Sequence, residues 1–239
     1  MRIIILSPYP PSVSPSQRFR LEHYLPELSE KNISYSYQSF VDVKTWNLMF
    51  KHSDHLKKIW GVAVGFIKRF FLLFKIPWYD FVYIHREAAP AGPPFFEFII
   101  AKLLRKKIIY DFDDAIWVRI ASSANPGVSY LKCTWKVKYI CKWSYITTVG
   151  NDFLADFAHR YSKNVVVIPT VVDTVNLHNR LKNQSEQPLT IGWTGTFTNF
   201  YNLERIFDPV KRLQEKYNFR FLIIADKDPM FTGMKYEYI

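Results

Sequence analysis

The sequence predicts an α/β protein built on a doubly wound, Rossmann-like parallel sheet, followed by the start of a second Rossmann-like domain. Two observations carry this prediction. Short runs of near-continuous Ile and Val recur along the chain, as strands covered on both faces require. Stretches with helical spacing separate them, so strand and helix alternate as in successive βαβ units.

In chain order, Arg2 to Ser7 (RIIILS) reads as a strand, closed by the Pro-rich loop from Pro8 to Pro15, with a helix beginning near Ser16. Ile33 to Phe40 and Phe81 to His85 read as further strands, with helical segments between them. Pro93 and Pro94 suit the first turn of a helix running to about Arg105, because proline lacks the N–H that a helix start leaves unbonded anyway. Lys107 to Asp111 is strand-like, Val128 to Trp143 helical, Tyr145 to Val149 a strand, Asp152 to Tyr161 helical and Val165 to Pro169 a strand. The first domain is therefore placed at residues 1–175 and a linker at 176–188, where NRLKNQSEQP is polar and without pattern. From 189 a new unit begins: a strand at Leu189 to Trp193, a loop at Thr194 to Asn199, a helix to about Tyr217 and a strand at Phe219 to Ala225. Two strands in some 50 residues cannot cover their own faces, so the second domain is read as incomplete.

With 49% apolar residues the chain can bury a proper core. Its formal charge of +11 points to an anionic partner: a nucleic acid, a phospholipid surface or a phosphorylated small substrate. Nucleic acid is disfavoured, since no zinc-finger spacing, RNA-recognition signature or arginine-rich arm occurs and the basic residues are dispersed. Cys133 and Cys141 lie eight apart on a helical stretch, about 12 Å along its axis, so they are expected to be unpaired thiols. Met1 leads directly into a strand with no cleavable leader, which points to a cytoplasmic location. The segment Leu56 to Trp78 is apolar but broken by Lys68 and Arg69. Its longest charge-free run, Ile59 to Ile67, is far short of the roughly 18–20 residues that cross a bilayer. It reads either as a domain helix whose lysines reach water or as an interfacial helix.

Ligands of open parallel sheets bind at the carboxyl ends of strands, and three polar clusters fall there. Ser14, Ser16, Gln17, Arg18 and Arg20 surround the first helix start, where Arg18 and Arg20 can hold a phosphate or a sugar acid, or Ser14 can simply cap the helix. His85, Arg86 and Glu87 end the third strand and place an imidazole, a cation and a carboxylate together. Asp111, Asp113 and Asp114 in IIYDFDDAIW suit a catalytic base, a metal site or a set of hydroxyl acceptors, and a turn cap is the plainer reading. His52 and His55 lie one helical turn apart, yet no zinc-ligand spacing accompanies them. In the second unit Gly192-Trp193-Thr194-Gly195-Thr196 lets backbone approach a phosphate. No G-x-G-x-x-G and no P-loop occurs, which argues against a dinucleotide enzyme or a P-loop ATPase.

Taken in order, SPYPPSVSPSQRFRLEHYLPEL, VYIHREAAPAGPPFFEFIIAKLLRKKIIYDFDDAIW, TTVGNDFLADFA, VVVIPTVVDT and IGWTGTFTNFYNL resemble the retaining glycosyltransferases of the GT-B fold, glycosyltransferase family four. Ser14-Pro15-Ser16 stands where the family commonly has a Gly-Gly pair, and Thr170-Val171 replaces the Asn-Gly of its I-P-N-G-V-D strand end. The resemblance implies an acceptor domain followed by a donor domain. Sugar would pass from a nucleotide sugar to a glycan or lipid-linked acceptor with retention, with no metal and no cofactor beyond the nucleotide-sugar co-substrate.

By the same resemblance Asp113 and Asp114 lie where the family places an acceptor-side polar residue, and together with His85, singled out by its strand-end cluster, they are the catalytic candidates. Ser14, Ser16 and Arg18 would lie on the first-strand loop facing the cleft, Gly195 and Thr196 would approach the donor diphosphate, and Arg86 and Glu87 join the substrate-binding candidates from their strand-end cluster. The family's acidic E-x7-E region would fall beyond Ile239. Surface polysaccharide synthesis at the inner face of the membrane, touching anionic lipid, is the implied setting. Two other classes stand beside this one. One is a non-catalytic module binding an acceptor or a membrane surface. The other is a phosphohydrolase with Asp111 as nucleophile and Asp113 as general acid, although that motif should open the first strand rather than the fourth.

Overall fold

The computed structural model describes residues 1–49, 54–118, 132–181 and 188–239. It divides into two compact units, Met1–His178 and Asn179–Ile239. His52, residues 128–131 of the expected sixth helix and 182–187 of the expected linker lie outside the described residues.

The first unit is a mixed α/β structure on a six-stranded sheet: β1 (Arg2–Ser7), β2 (Ser34–Ser39), β3 (Phe81–His85), β4 (Lys107–Phe112), β5 (Ile146–Val149) and β6 (Val165–Val167). The order is β2-β1-β3-β4-β5-β6, and every neighbouring pair is parallel. The helices are α1 (Pro15–Arg20), α2 (Leu25–Glu30), α3 (Val43–Met49), α4 (His55–Leu72), α5 (Phe95–Phe98), α6 (Lys136–Trp143) and α7 (Asp152–His159). Alternation along the strands sorts the core into two layers. Ile4, Leu6, Val82, Ile84, Ile108, Tyr110, Phe112 and Val149 pack with residues of α4 to α7, while Ile3, Ile5, Phe81 and Tyr83 pack with Leu21 and Leu25.

Two helices depart from the sequence reading. The helix expected from Pro93 to Arg105 starts at Phe95, behind Pro94, and opens at Ile99–Leu103 into a wider turn in which the Leu104 N–H reaches the Ile99 carbonyl at 2.8 Å. Such a turn holds an extra residue, which apolar spacing alone does not reveal. In the described part of 128–143, the helix begins at Lys136. Neither cysteine forms a disulfide, and burial pushes the Cys141 thiol up to about 12.

α4 docks through its smallest residues. A Cβ on Gly61 would stand 2.4 Å from the Thr45 side chain, and one on Gly65 would stand 2.6 Å from the Phe40 ring and 2.8 Å from its carbonyl oxygen. Arg69, on the same face, is buried and donates to the carbonyls of Ala88 (2.9 Å), Gln38 (3.1 Å) and Ser7 (3.0 Å). Gly65→Ala is therefore expected to cost about 1–3 kcal/mol by overpacking, read as a lower denaturation midpoint at unchanged slope.

The second unit holds β7 (Leu189–Gly195), β8 (Phe219–Ala225) and β9 (Glu237–Tyr238) in one parallel sheet, with α8 (Phe200–Glu204) and α9 (Phe207–Gln214). The single helix expected up to Tyr217 is thus broken in two, and a third strand joins the two expected. Its small core gathers Leu203, Val210, Phe221, Ile223 and Met234.

Candidate functional site

The polar strand ends of the first unit gather at the carboxyl edge of the sheet. β3 and β4 pair with His85 opposite Asp111, and β4 and β5 with Asp111 opposite Thr148, so all three side chains share the α1 face. Asp111 is buried. It pairs with Arg20 of α1, accepts from Thr148 Oγ1 at 2.7 Å and faces His85 Nδ1 at 3.1 Å. Arg20 also donates to the Ile168 carbonyl just past β6. Burial works to raise the Asp111 carboxyl, but the bonds from His85 and Arg20 outweigh it and hold the group below its ordinary value of 3.8.

Beyond His85 the chain of contacts continues outward. His85 Nε2 lies 3.2 Å from Ser16 Oγ, and Ser16 Oγ donates to Asp113 Oδ1 at 2.6 Å. Ser16 has one hydroxyl hydrogen, given to Asp113, and which partner donates in its contact with His85 Nε2 is set by the His85 tautomer. One hydroxyl thus links Asp113 to His85. Asp113 lies 3.9 Å from Arg86 Nη1, which donates to Asp114 at 2.8 Å. A Cβ on Gly150, at the end of β5, would sit 3.5 Å from the Asp113 backbone and 3.6 Å from Thr170 Oγ1, so three strand ends converge on Asp113.

Arg86 turns out of the sheet through a left-handed backbone, φ 62°, unusual for a residue with a side chain. The loop that follows is held from several sides. Tyr110 Oη donates to the Arg86 carbonyl, Arg69 to that of Ala88 and Lys136 to that of Ala89, while the Ala88 N–H donates to buried Glu97. Burial raises the Glu97 carboxyl above its ordinary value. Beside this loop opens a cavity of about 470 Å³ lined by Tyr9, Arg86, Glu87, Asp114 and Lys136 among others. Glu87 meets Lys136 Nζ at 2.6 Å. Both charge signs and an aromatic ring therefore face one opening.

The structure brings Ser16, His85, Arg86, Glu87, Asp113 and Asp114 together, and it changes several roles. His85 is fully buried behind Ser16, so it has no open face and can act only through Ser16 and Asp111. Arg20 is committed to Asp111 and the Ile168 carbonyl, so it is not a phosphate ligand. Arg18 lies over the Phe19 ring at 5.1 Å, and Ser14 sits at the start of α1 without a side-chain cap bond. Neither joins the cluster. Asp111, enclosed by Arg20, His85 and Thr148, has no open face for attack on a phosphate, which removes the phosphohydrolase reading.

Gly195 and Thr196 belong to the second unit at the end of β7. A Cβ on Gly195 would meet the Trp193 ring at 2.4 Å, and the next N–H, of Phe197, is taken by Asp226 at 2.7 Å. Sequence reasoning missed Tyr9, Lys136 and Glu97. Lys136 and Glu97 stand on helices, 47 and nine residues beyond the loop carbonyl and N–H that they meet. Among the described residues no group of His, Cys, Asp and Glu has the makings of a metal site, and no helix is long and apolar enough to cross a membrane.

No family model matches this chain, and no curated protein matches it. Among solved structures, a sugar transporter from Clostridium phytofermentans aligns over 97% of this chain and 83% of its own, at 14% identity and a TM-score of 0.32.

Proposed function

We propose that the chain is a retaining, sugar-nucleotide-dependent glycosyltransferase of the GT-B type and family four, or a piece of one, with its first unit on the acceptor side. The observation that carries this reading is the two-signed, 470 Å³ cavity at the carboxyl ends of β3 and β4, with Asp113 beside it. A pocket of this size with carboxylates, cations and a tyrosine suits a polyhydroxylated ligand. The sequence resemblance adds the reaction class.

In this reading Asp113 orients the acceptor hydroxyl and accepts its proton as the sugar is transferred, and Ser16 and His85 hold that carboxylate in position. Arg86 holds the Asp113 and Asp114 carboxylates in place. Glu87 and Asp114 accept from sugar hydroxyls. Gly195 and Thr196 would serve the donor diphosphate, whose growing charge needs backbone N–H groups and cations. The acceptor would be a glycan or a lipid-linked sugar of surface polysaccharide synthesis.

The test incubates the chain with a panel of nucleotide sugars and of saccharide and lipid-linked acceptors, following nucleoside diphosphate release and the anomeric form of the product. Release that depends on acceptor, survives chelator and falls about 100-fold or more in Asp113→Asn is the expected result. Saccharide binding without turnover would leave a non-catalytic binding module, and neither binding nor turnover would refute the reading.

A further inference from the structure

α4 is apolar on its outer face as well as its inner one. Leu56, Ile59, Trp60, Ala63, Ile67, Phe70, Phe71 and Phe74 recur at spacings of three and four along α4 and its last turn, the period of a single helical stripe. In a domain helix this stripe faces the core. Here the core side carries Gly61, Gly65 and Arg69 with Val62, Phe66, Leu72 and Leu73, and a second apolar stripe faces solvent: Leu56 is 82% exposed, Trp60 68%, Phe71 63% and Phe74 64%. The aromatic surface continues sideways. A groove of about 500 Å³ walled by Phe66, Ile67, Phe70, Phe71 and Phe95 adjoins a second one, and Pro93 and Phe95 line both. A contiguous exposed apolar surface of this kind marks a docking face.

Charge selects the occupant. Lys57, Lys68 and Lys75 are exposed and follow one another at spacings of eleven and seven, which places them in one row along the flank of the stripe. Lys57 also contacts Asp54 at 2.9 Å. Residues 55–78 and 93–106 contain a single carboxylate, Glu97, and it is buried against the Ala88 N–H. Lysine is depleted from the cores of protein interfaces, whereas aromatic residues rimmed by lysine suit the boundary between acyl chains and anionic headgroups. Among the described residues no helix is long and apolar enough to cross a membrane.

We infer that α4 and the neighbouring aromatic groove form a docking surface for an anionic lipid bilayer, with the stripe sunk below the headgroups and the lysine row among the phosphates. This stands apart from the sugar-transfer reading and requires no turnover.

The test uses the whole chain with vesicles of phosphatidylcholine alone or mixed with phosphatidylglycerol, followed by co-sedimentation and by tryptophan quenching with brominated lipid. Binding to the mixed vesicles that weakens with salt is expected. Lys68→Glu and Lys75→Glu should each lower it roughly fivefold or more. Ile67→Ser with Phe71→Ser and Phe74→Ser should abolish it at an unchanged circular dichroism spectrum, and Trp60→Phe should remove much of the quenching. The inference is overturned by a folded chain that ignores anionic vesicles at low salt or by a Trp60 signal that the brominated lipid does not touch. A dimer dissociated by the same serine substitutions would also overturn it, since a second copy would then be what covers the stripe.

Discussion

Arg20→Met is expected to destabilise the first unit by about 3–5 kcal/mol, because it leaves the buried Asp111 carboxylate without its cation. Arg20 joins Asp111 to the Ile168 carbonyl, so its loss loosens α1, β4 and the end of β6 at once. The acid limb of the pH dependence should shrink. In the native chain the depressed Asp111 carboxyl contributes stability that is present above its ordinary value of 3.8 and is lost as the pH falls through the lower folded value. Without Arg20 the burial penalty is opposed only by what remains of the bonds to Asp111, that from His85 first, so the folded value moves back toward the ordinary one and less stability is lost on acidification. Of the neighbouring charges, His85 and Asp113 remain, and Tyr83, whose phenol burial raises well above its ordinary range, stays neutral. Urea denaturation of both forms between pH 3 and 7 reads the effect. A variant that keeps the native acid limb would show that the ion pair does not set it.

Arg69→Met should cost a similar amount, about 3–5 kcal/mol, by a different route. The methionine keeps most of the apolar stem but abandons three carbonyls at once, those of Ser7, Gln38 and Ala88. A buried carbonyl left unbonded costs about 1–3 kcal/mol. Burial lowers the Arg69 guanidinium to about 10, which leaves it charged at neutral pH, so Arg69→Lys keeps the charge while losing the planar fork. Lysine should recover only part of the loss. Because Arg69 holds the backbone of the loop beside the cavity, saccharide binding should weaken in Arg69→Lys even where the fold survives. Equal stability of the Arg, Lys and Met forms would show that these carbonyls find water instead.

Most strands were legible because a doubly wound sheet writes them in unbroken apolar letters, as RIIILS and KIIYDF show. The break between α8 and α9 and the wide turn after α5 were not, because both keep helical spacing on either side of an irregularity. Within the site, the DFDD cluster was visible as a concentration of like charge. His85, Arg86 and Glu87 were visible as a group but not in their directions: strand alternation sends His85 inward beside Asp111, while a left-handed turn sends Arg86 out. Arg18 and Arg20 looked equivalent in sequence. A partner 91 residues away separates them, and no local pattern announces such a partner. Lys68 and Arg69 were likewise adjacent interruptions of one apolar run, and the helix sends one to water and the other to the core.

The order of the strands also sets a clock. β1 lies between β2 and β3, and Arg20 answers to Asp111, so the first helix must wait for its counter-charge until the fourth strand has been made. At roughly 5–20 residues per second, 91 residues take about 5–18 s of synthesis. For that interval a nascent segment of isoleucines and an unmatched guanidinium stand outside the ribosome, and a chaperone or a nearby surface has time to meet them first.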